Sequence, residues 1–225
     1  MSKQIFSEFH SHTIFSKDSL AKPEKILETC QRKGIDRIVI TDHNTTRGAR
    51  AAHALDPARV IIGEEIMTTQ GELLAAFVQE EIPPGLTPRL TIELLKEQGA
   101  FISVSHPFDH YRSGYWQPDE LLKIIPYVDA IETFNARCMS LKENQKAQSF
   151  AQLHDLAGTV GSDAHATFEL GRAVMLLPDF SDADELRAVI RQAEFKTQLS
   201  SPLVHLYSRY AVWYKKVFPN LLTKY

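Results

Sequence analysis

The fold is decided near the N-terminus, where the short apolar run Ile5-Phe6 leads into the segment Glu8-Phe9-His10-Ser11-His12-Thr13. An apolar run that gives way to polar residues is typical of a β-strand entering a loop. On an extended strand His10 and His12 point to the same side, because side-chain direction repeats every second residue. The two imidazoles can therefore bind one metal ion.

Four further segments repeat this pattern of an apolar, β-prone run followed by metal-binding side chains. They are Thr41-Asp42-His43, Gly63-Glu64-Glu65-Ile66, Ser105-His106-Pro107 and Gly161-Ser162-Asp163-Ala164-His165. Imidazole and carboxylate groups suit zinc, iron and manganese, and a hydrolytic site needs several of them beside coordination positions that stay open. Any single histidine could be an ordinary core or turn residue. Five segments in the same context favour a metal site at the C-terminal ends of strands.

Together, the five segments resemble the motif pattern of the PHP (polymerase and histidinol phosphatase) family, from about Ile5 to Arg172. The resemblance implies a distorted seven-stranded (β/α) barrel, TIM-like, that carries two or three divalent metal ions and hydrolyses phosphoesters. One position departs from the family, which usually begins its first motif with Asp where this chain has Glu8.

Length and composition agree with a single metallohydrolase domain over residues 1–225. The formal net charge of −3 predicts no general attraction to nucleic acid, although it leaves room for a local basic patch. Cys30 and Cys138 lie far apart without framework spacing, which indicates reduced thiols in a cytoplasmic protein. No signal peptide or membrane span is predicted, so no membrane partner is expected, and the oligomeric state stays open.

Alternating strand and helix patterns predict the α/β class with a largely parallel sheet. Seven strands are predicted over residues 5–10, 37–41, 60–67, 72–78, 101–105, 129–134 and 159–161. Helices are predicted over residues 23–33, 45–55, 88–98, 118–125 and 141–156, several of them beginning at Pro and ending before Gly.

The C-terminal segment, residues 203–225, mixes aromatic and basic side chains. Such a mixture fits a nucleic-acid surface, on which aromatic rings stack against bases and cations contact phosphates. We favour the commoner explanation, a helix whose aromatic face packs against the barrel while its cations lie in water.

By motif position, the resemblance implies three groups of metal ligands that share residues. The first group is His10, His12, Glu65 and Asp163. The second group takes Glu65 as a bridging carboxylate and adds His106. The third group is Asp18, His43 and His165, with a turn cap as the alternative role for Asp18.

Two ligand positions have competing candidates. Glu64 and Glu65 face opposite sides of a strand, and the order Gly-Glu-Glu-Ile favours Glu65 as the inward residue. The remaining ligand of the second ion is Glu132, Asn135 or Cys138. Cys138 would favour zinc, but a lone cysteine is more often a small buried apolar side chain.

These features predict a metal-dependent phosphoesterase whose substrate is a small phosphoester. The candidates are a nucleotide, a sugar phosphate, an amino-alcohol phosphate or an oligonucleotide end. The candidate proton donors to the leaving group are His43, Asp163 and His165. The candidate phosphate contacts are Lys17, Arg47, Arg137 and Arg172, with Arg137 preferred because it follows a strand end. For each of these four the alternative is a solvated surface charge.

Two other function classes stay open. Some domains that resemble this one serve as structural parts of DNA polymerases, although the nearly complete ligand set argues against a purely structural role. A metal-dependent amidohydrolase or lactonase uses similar ligands, so metal chemistry alone does not separate it from a phosphoesterase.

Overall fold

The computed structural model describes residues 3–219, in which strands and helices alternate. The strands are β1 (Gln4–Glu8), β2 (Arg37–Ile40), β3 (Val60–Met67), β4 (Glu72–Ala76), β5 (Phe101–Val104), β6 (Ala130–Asn135), β7 (Ala157–Gly161), β8 (Ala173–Pro178) and β9 (Glu194–Thr197). The helices are α1 (Pro23–Lys33), α2 (Arg47–Leu55), α3 (Pro88–Glu97), α4 (Pro118–Ile124), α5 (Leu141–Leu153), α6 (Ala183–Val189) and α7 (Val204–Val217).

All nine described strands form one sheet in the order β7-β6-β5-β4-β3-β2-β1-β8-β9. Beyond β1 and β7, an isolated parallel bridge joins Ser11 to Ala164, and the His12 amide donates to the Ala164 carbonyl at 2.8 Å. This bridge draws the two distant strands together at their C-terminal ends. The sheet is therefore a nearly closed barrel, which confirms the predicted α/β, TIM-like fold.

The predicted strand count and the largely parallel sheet both need correction. Four strand pairs are parallel, but β4 runs antiparallel to β3 and β5, and β8 runs antiparallel to β1 and β9. A connection as short as residues 68–71 permits only an antiparallel pair, because parallel strands need a long crossover. Strands β8 and β9 were not predicted, and all four residues of β9 are exposed, so no buried alternation marks it.

The helices begin and end where proline, glycine and capping side chains dictate. Pro23 opens α1, and Gly34 ends it in the left-handed region at φ 68°, with its amide donating to the carbonyls of Cys30 and Gln31. Pro88 opens α3 after Thr87, whose side chain accepts from the Leu90 amide. These short helices cover the outer face of the barrel, while Phe9 and Phe101 meet edge to face inside it at 5.6 Å.

The prediction that the aromatic face of the C-terminal helix packs against the barrel is wrong for its outer residues, although Tyr207 is half-buried and its ring meets that of Phe168 edge to face at 5.8 Å. Only Val204 and Ala211 are buried on α7, whereas Tyr210 and Trp213 are exposed. Residues 220–225 of the predicted segment lie outside the described residues. Within residues 3–219, no helix is long and apolar enough to cross a membrane.

Candidate metal centre

The five motifs of the sequence meet at one end of the barrel, because each lies in the C-terminal half of a strand or directly after it. His10 and His12 follow β1, His43 follows β2, Glu65 lies in β3, His106 follows β5, and Asp163 and His165 follow β7. The fold therefore brings eight of the nine predicted metal ligands together; the ninth, Cys138, stands apart.

The first group centres on the facing Nε2 atoms of His10 and His12, which lie 3.1 Å apart. Asp163 Oδ1 lies 3.2 Å from the His12 Nε2 atom, and Glu65 Oε2 lies 3.3 Å from the His10 Nε2 atom. All four side chains are completely buried. The arrangement is the one predicted for the first ion.

Glu132 fixes the orientation of His10. Its Oε1 atom lies 2.9 Å from Nδ1 of His10, and its Oε2 atom accepts from the His106 amide at 2.8 Å. A carboxylate only accepts, so Nδ1 carries the proton and Nε2 presents its lone pair to the cluster. Gly161 permits this packing, because a side-chain Cβ there would lie 2.3 Å from the His10 Cβ.

Ser16 fixes His12 in the same tautomer. The Ser16 hydroxyl donates to Asp42 Oδ1 at 2.6 Å, which leaves its lone pairs to accept from the His43 amide and from Nδ1 of His12 at 3.0 Å. The proton of His12 therefore lies on Nδ1, and its Nε2 lone pair also faces the cluster.

These donors fit a bound cation. Glu65 Oε2 and Asp163 Oδ1 are buried acceptors without a hydrogen-bond partner among residues 3–219. Lone pairs of two imidazoles and two unpartnered carboxylate oxygens converge on one small space, where they repel unless a positive charge lies among them. A mixed nitrogen and oxygen set of this kind suits zinc, manganese or iron.

The second group contains a carboxylate that the sequence analysis missed, Glu72. Its Oε2 atom lies 3.5 Å from Nε2 of His106, and that same nitrogen lies 3.1 Å from Glu65 Oε1. Glu65 pairs with Leu74 across the hairpin, so Glu72, two residues away, shares the face of Glu65. An acidic residue at the start of an apolar strand was the available signal.

The third group surrounds Asp18 at the open side of the centre. Asp18 Oδ2 lies 3.2 Å from Nε2 of His165, and Asp18 Oδ1 lies 3.6 Å from Nε2 of His43. Nδ1 of His43 lies 2.9 Å from Glu65 Oε2, which connects this group to the other two. Glu65 therefore touches members of all three groups, as a bridging ligand would.

The buried carboxylates around His10 strongly favour a positive charge at the centre. Burial lowers the pKa of His10, but Glu65, Asp163 and Glu132 outweigh it and raise that pKa well above its ordinary value. Burial and the neighbouring imidazoles of His165 and His43 instead hold the pKa of His12 well below its ordinary value. His12 is thus neutral, the form in which imidazole binds a metal.

Asp163 is held in a backbone conformation that side chains rarely adopt, with φ at 50°. The buried Glu8 carboxylate supports this turn by accepting from the amides of Ser162 and Gly171, each at 2.9 Å. Burial raises the pKa of Glu8 to about 7. The carboxylate that departs from the family pattern therefore braces the turn that carries Asp163.

Glu64, Asn135 and Cys138 stand outside the donor groups. Glu64 faces away from Glu65 and accepts from the Ile82 amide at 3.0 Å. Asn135 donates to Glu132 and Asp163 through its side-chain nitrogen, which leaves it a supporting role. Burial raises the pKa of the Cys138 thiol, which disfavours the thiolate that a metal would need.

A cleft of about 910 Å³ opens above the centre and includes Lys17, Asp18, His43, Arg112, His165 and His205 in its wall. Arg112, which the sequence analysis did not select, places Nη2 2.5 Å from Asp163 Oδ2 and Nε 3.1 Å from Asp109 Oδ2. Its side chain remains 20% exposed, so the centre has a guanidinium within reach of a bound anion.

The four predicted phosphate contacts occupy different surroundings. Lys17 is exposed on the cleft wall. Arg137 also lines the cleft, but its side chain is buried, with Nε 3.2 Å from Glu169 Oε2 and Nη2 donating to the Val204 carbonyl. Arg47 lies against the ring of Phe15, and Arg172 lines a separate groove. The buried ion pair already satisfies the charge of Arg137, the residue preferred from the sequence.

Comparisons with known proteins extend over most of the chain. A family model described as PHP-associated, PHP_C, matches residues 142–195. Among relatives from Methanocaldococcus jannaschii, the uncharacterized protein MJ0417 is 38% identical over 170 residues, 74% of this chain and 68% of the relative. The uncharacterized protein MJ1587 is 37% identical over 143 residues, 58% of this chain and 81% of the relative.

Solved structures share the fold at low identity. A two-domain protein from Bacteroides vulgatus, described as containing a predicted PHP-like metal-dependent phosphoesterase, has a TM-score of 0.71 and 19% identity, over 88% of this chain and 66% of that one. The lesion-specific endonuclease PfuEndoQ from Pyrococcus furiosus has a TM-score of 0.59 and 15% identity, over 86% of this chain and 58% of that one.

An amidohydrolase from Chromobacterium violaceum has a TM-score of 0.57 and 13% identity, over 90% of this chain and 96% of that one. At these identities the three structures show the barrel and not its activity. The matched model and relatives, together with the five motifs that meet at the barrel mouth, show that the chain belongs to the PHP family.

Proposed function

We propose that this protein is a metal-dependent phosphoesterase acting on a small phosphoester. The observation that carries the proposal is the convergence of three ligand groups on Glu65 beneath a cleft that also presents Arg112. Carboxylate and imidazole ligands beside a partly exposed guanidinium are suited to an anionic substrate.

Two or three divalent ions would be held by the residues already described. One ion would be held by His10, His12, Asp163 and Glu65. A second ion would be held by Glu65, Glu72 and His106. Asp18, His43 and His165 would hold a third. When bound, such ions supply an activated water and neutralise the phosphoryl oxygens.

Arg112 is our proposed phosphate anchor, in place of Arg137. Two of its nitrogens lie against Asp109 and Asp163, and this pairing fixes the plane of the guanidinium. A planar guanidinium has five N–H donors, so a phosphoryl oxygen in the cleft can take a further one. Lys17, exposed on the same wall, adds a flexible second cation.

The proton for the leaving oxygen must come from a side chain that reaches the cleft. His43 and His165 do so, whereas Asp163 is buried beneath Arg112. The His43 side chain is 15% exposed and the His165 side chain 2%. We therefore propose that His43 is the donor when only the first two ion positions are filled, and that His165 then positions Asp18.

The proposal is tested by measuring metal content and activity on the same preparation. Protein purified without chelator should contain two to three equivalents of zinc, manganese or iron, and dialysis against a chelator should lower its Tm, because ions that bind only the folded state stabilise it. A content of one ion or less contradicts the multinuclear site.

Activity is then compared on phosphomonoesters, phosphodiesters, amides and lactones. We expect release of phosphate or a nucleotide and no amide or lactone hydrolysis. Hydrolysis of amides or lactones alone would assign the protein to the amidohydrolase class, and a metal-loaded protein inert on all four would favour a structural module.

A further inference from the structure

Helix α7 exposes a row of apolar side chains at helical spacing. The row, called here the α7 stripe, is Leu206, Tyr210, Trp213 and Val217. Trp213 is 56% exposed and Tyr210 is 48% exposed, and their rings lie 5.8 Å apart. Positions i, i+4, i+7 and i+11 lie on one side of a helix, so the stripe is a continuous apolar face directed to water.

The contacts that hold α7 in place are largely polar. Lys215 turns toward the barrel and donates to the carbonyl oxygens of Ile14 and Ser16. Arg137 donates to the Val204 carbonyl and to the Ser208 hydroxyl. A helix that points a lysine inward and a tryptophan outward reverses the usual arrangement, and an exposed apolar patch of this kind marks a binding surface.

The charge of the segment after Glu194 indicates what kind of partner would bind the α7 stripe. No Asp or Glu occurs after Glu194, whereas this part of the sequence contains Lys196, Arg209 and Lys216, besides Lys215, which turns toward the barrel. The chain as a whole carries −3, so this segment is a local reversal of sign. Arg209 and Lys216 flank the stripe; a symmetric pairing of two copies through this face would bring like charges together. A polyanion with apolar, planar groups complements the surface better.

The helix that carries the stripe also forms part of the cleft wall. His205 and Ser208, on the first turns of α7, line the cleft, and the loop that accepts from Lys215 continues to Lys17 on the cleft wall. A strand lying along α7 would therefore run beside the cleft that opens above the candidate metal centre. Bases stack on exposed aromatic rings whatever their sequence.

We propose that the α7 stripe binds the bases of a single-stranded oligonucleotide while one of its phosphates lies in the cleft. This inference rests on the proposed phosphoesterase function and narrows its substrate class. Tyr210 and Trp213 would stack on bases, and Arg209 and Lys216 would contact the backbone.

Direct binding provides a readout that does not depend on catalysis. The chain has two tryptophans, and Trp116 is only 1% exposed, so quenching by an added oligonucleotide reports Trp213. We expect oligothymidylate of about 12 nucleotides to quench this fluorescence and to bind more weakly as salt rises. Binding in anisotropy should weaken at least about fivefold in Trp213→Ala and in Tyr210→Ala, and Trp213→Phe should retain most of the affinity.

The matched control is Leu153→Ala, because Leu153 is an exposed apolar residue on α5, away from the cleft. It should leave oligonucleotide binding unchanged. Against an oligonucleotide substrate, Trp213→Ala should raise KM at least about fivefold, while hydrolysis of nitrophenyl phosphate esters keeps the wild-type kcat and KM.

Equal affinity of wild type and Trp213→Ala for the oligonucleotide would overturn the α7 proposal. So would a wild-type dimer that Trp213→Ala converts to a monomer in light scattering, or binding to anionic phospholipid vesicles without binding to oligonucleotide. If small esters are cleaved while the stripe variants bind normally, only the α7 proposal fails. If no phosphoester is cleaved, the proposed function fails. The fluorescence and anisotropy measurements of oligonucleotide binding then still test the α7 proposal.

Discussion

The Oε1 atom of Glu132 lies 2.9 Å from Nδ1 of His10, on the side of the imidazole that faces away from the donor cluster. This contact decides which nitrogen of His10 is available to an ion. Glu132→Gln should therefore lower metal affinity about 10- to 100-fold, because an amide can donate to Nδ1 and stabilise the wrong tautomer. Titration calorimetry with manganese or zinc measures the change.

Glu93→Gln is the control for Glu132, since Glu93 lies exposed on α3 and pairs only with Arg89. It should bind ions as the wild type does. Wild-type affinity in Glu132→Gln would show that Glu132 does not orient a metal ligand.

Glu65→Gln should reduce the phosphoesterase rate at least about tenfold, equivalent to about 1.4 kcal/mol of activation free energy. The substitution keeps the volume but removes the charge shared by the three ligand groups. Glu64→Gln, one residue away and bonded to the Ile82 amide, should change the rate far less. Steady-state kinetics and metal analysis of both variants check this, and the reverse order would mean that Glu64 is the ligand.

Arg112→Ala should raise KM for a small phosphoester about tenfold or more, since one charge-assisted contact contributes roughly 1.5 to 3 kcal/mol. Arg137→Ala should act differently and cost about 3 kcal/mol of folding free energy, because it leaves Glu169 buried without its partner. Kinetics and denaturant unfolding separate the two effects. A higher KM in Arg137→Ala at unchanged stability would return the anchor to Arg137.

The ionisation of Lys215 makes the folding stability of the protein depend on pH. Burial lowers its pKa from 10.5 to about 8 in the folded protein. Between pH 8 and 10.5 the unfolded chain therefore binds more protons at this residue, so its contribution to folding stability rises with pH in that window. Wild type should gain Tm relative to Lys215→Met as pH rises from 8 to 10.5. A constant or shrinking difference would place the Lys215 ammonium in water.

Local sequence signals were sufficient for most elements and for the ligand positions. Pro23 and Gly34 mark the ends of α1 without any knowledge of the rest of the fold. Each strand that carries a site histidine was recognisable because an apolar run ends directly before the polar residue. The alternation of side chains also separated Glu64 from Glu65.

The other features of the site could not be predicted, because they depend on contacts between residues that are distant in the sequence. Glu72 joins the centre through the register of the β3–β4 hairpin, and Arg112 reaches Asp163 from a loop with no regular periodicity. The sequence does not show that Arg137 is held in an ion pair instead of being free to bind phosphate, because its partner Glu169 lies on a separate loop after β7. Aromatic residues at helical spacing usually pack inward, but Tyr210 and Trp213 on α7 are exposed, and the sequence pattern does not show this.

The bridge between Ser11 and Ala164 has a consequence for when the candidate metal centre can form during synthesis. Residues about 150 positions apart must pair before His10 and His12 stand beside Asp163. Closing so long a loop is slow, and it cannot begin while the second partner is still unmade. A nascent chain that has exposed only the first half of the barrel therefore lacks Asp163 and His165, so the first and third ligand groups are completed only when the last strands dock.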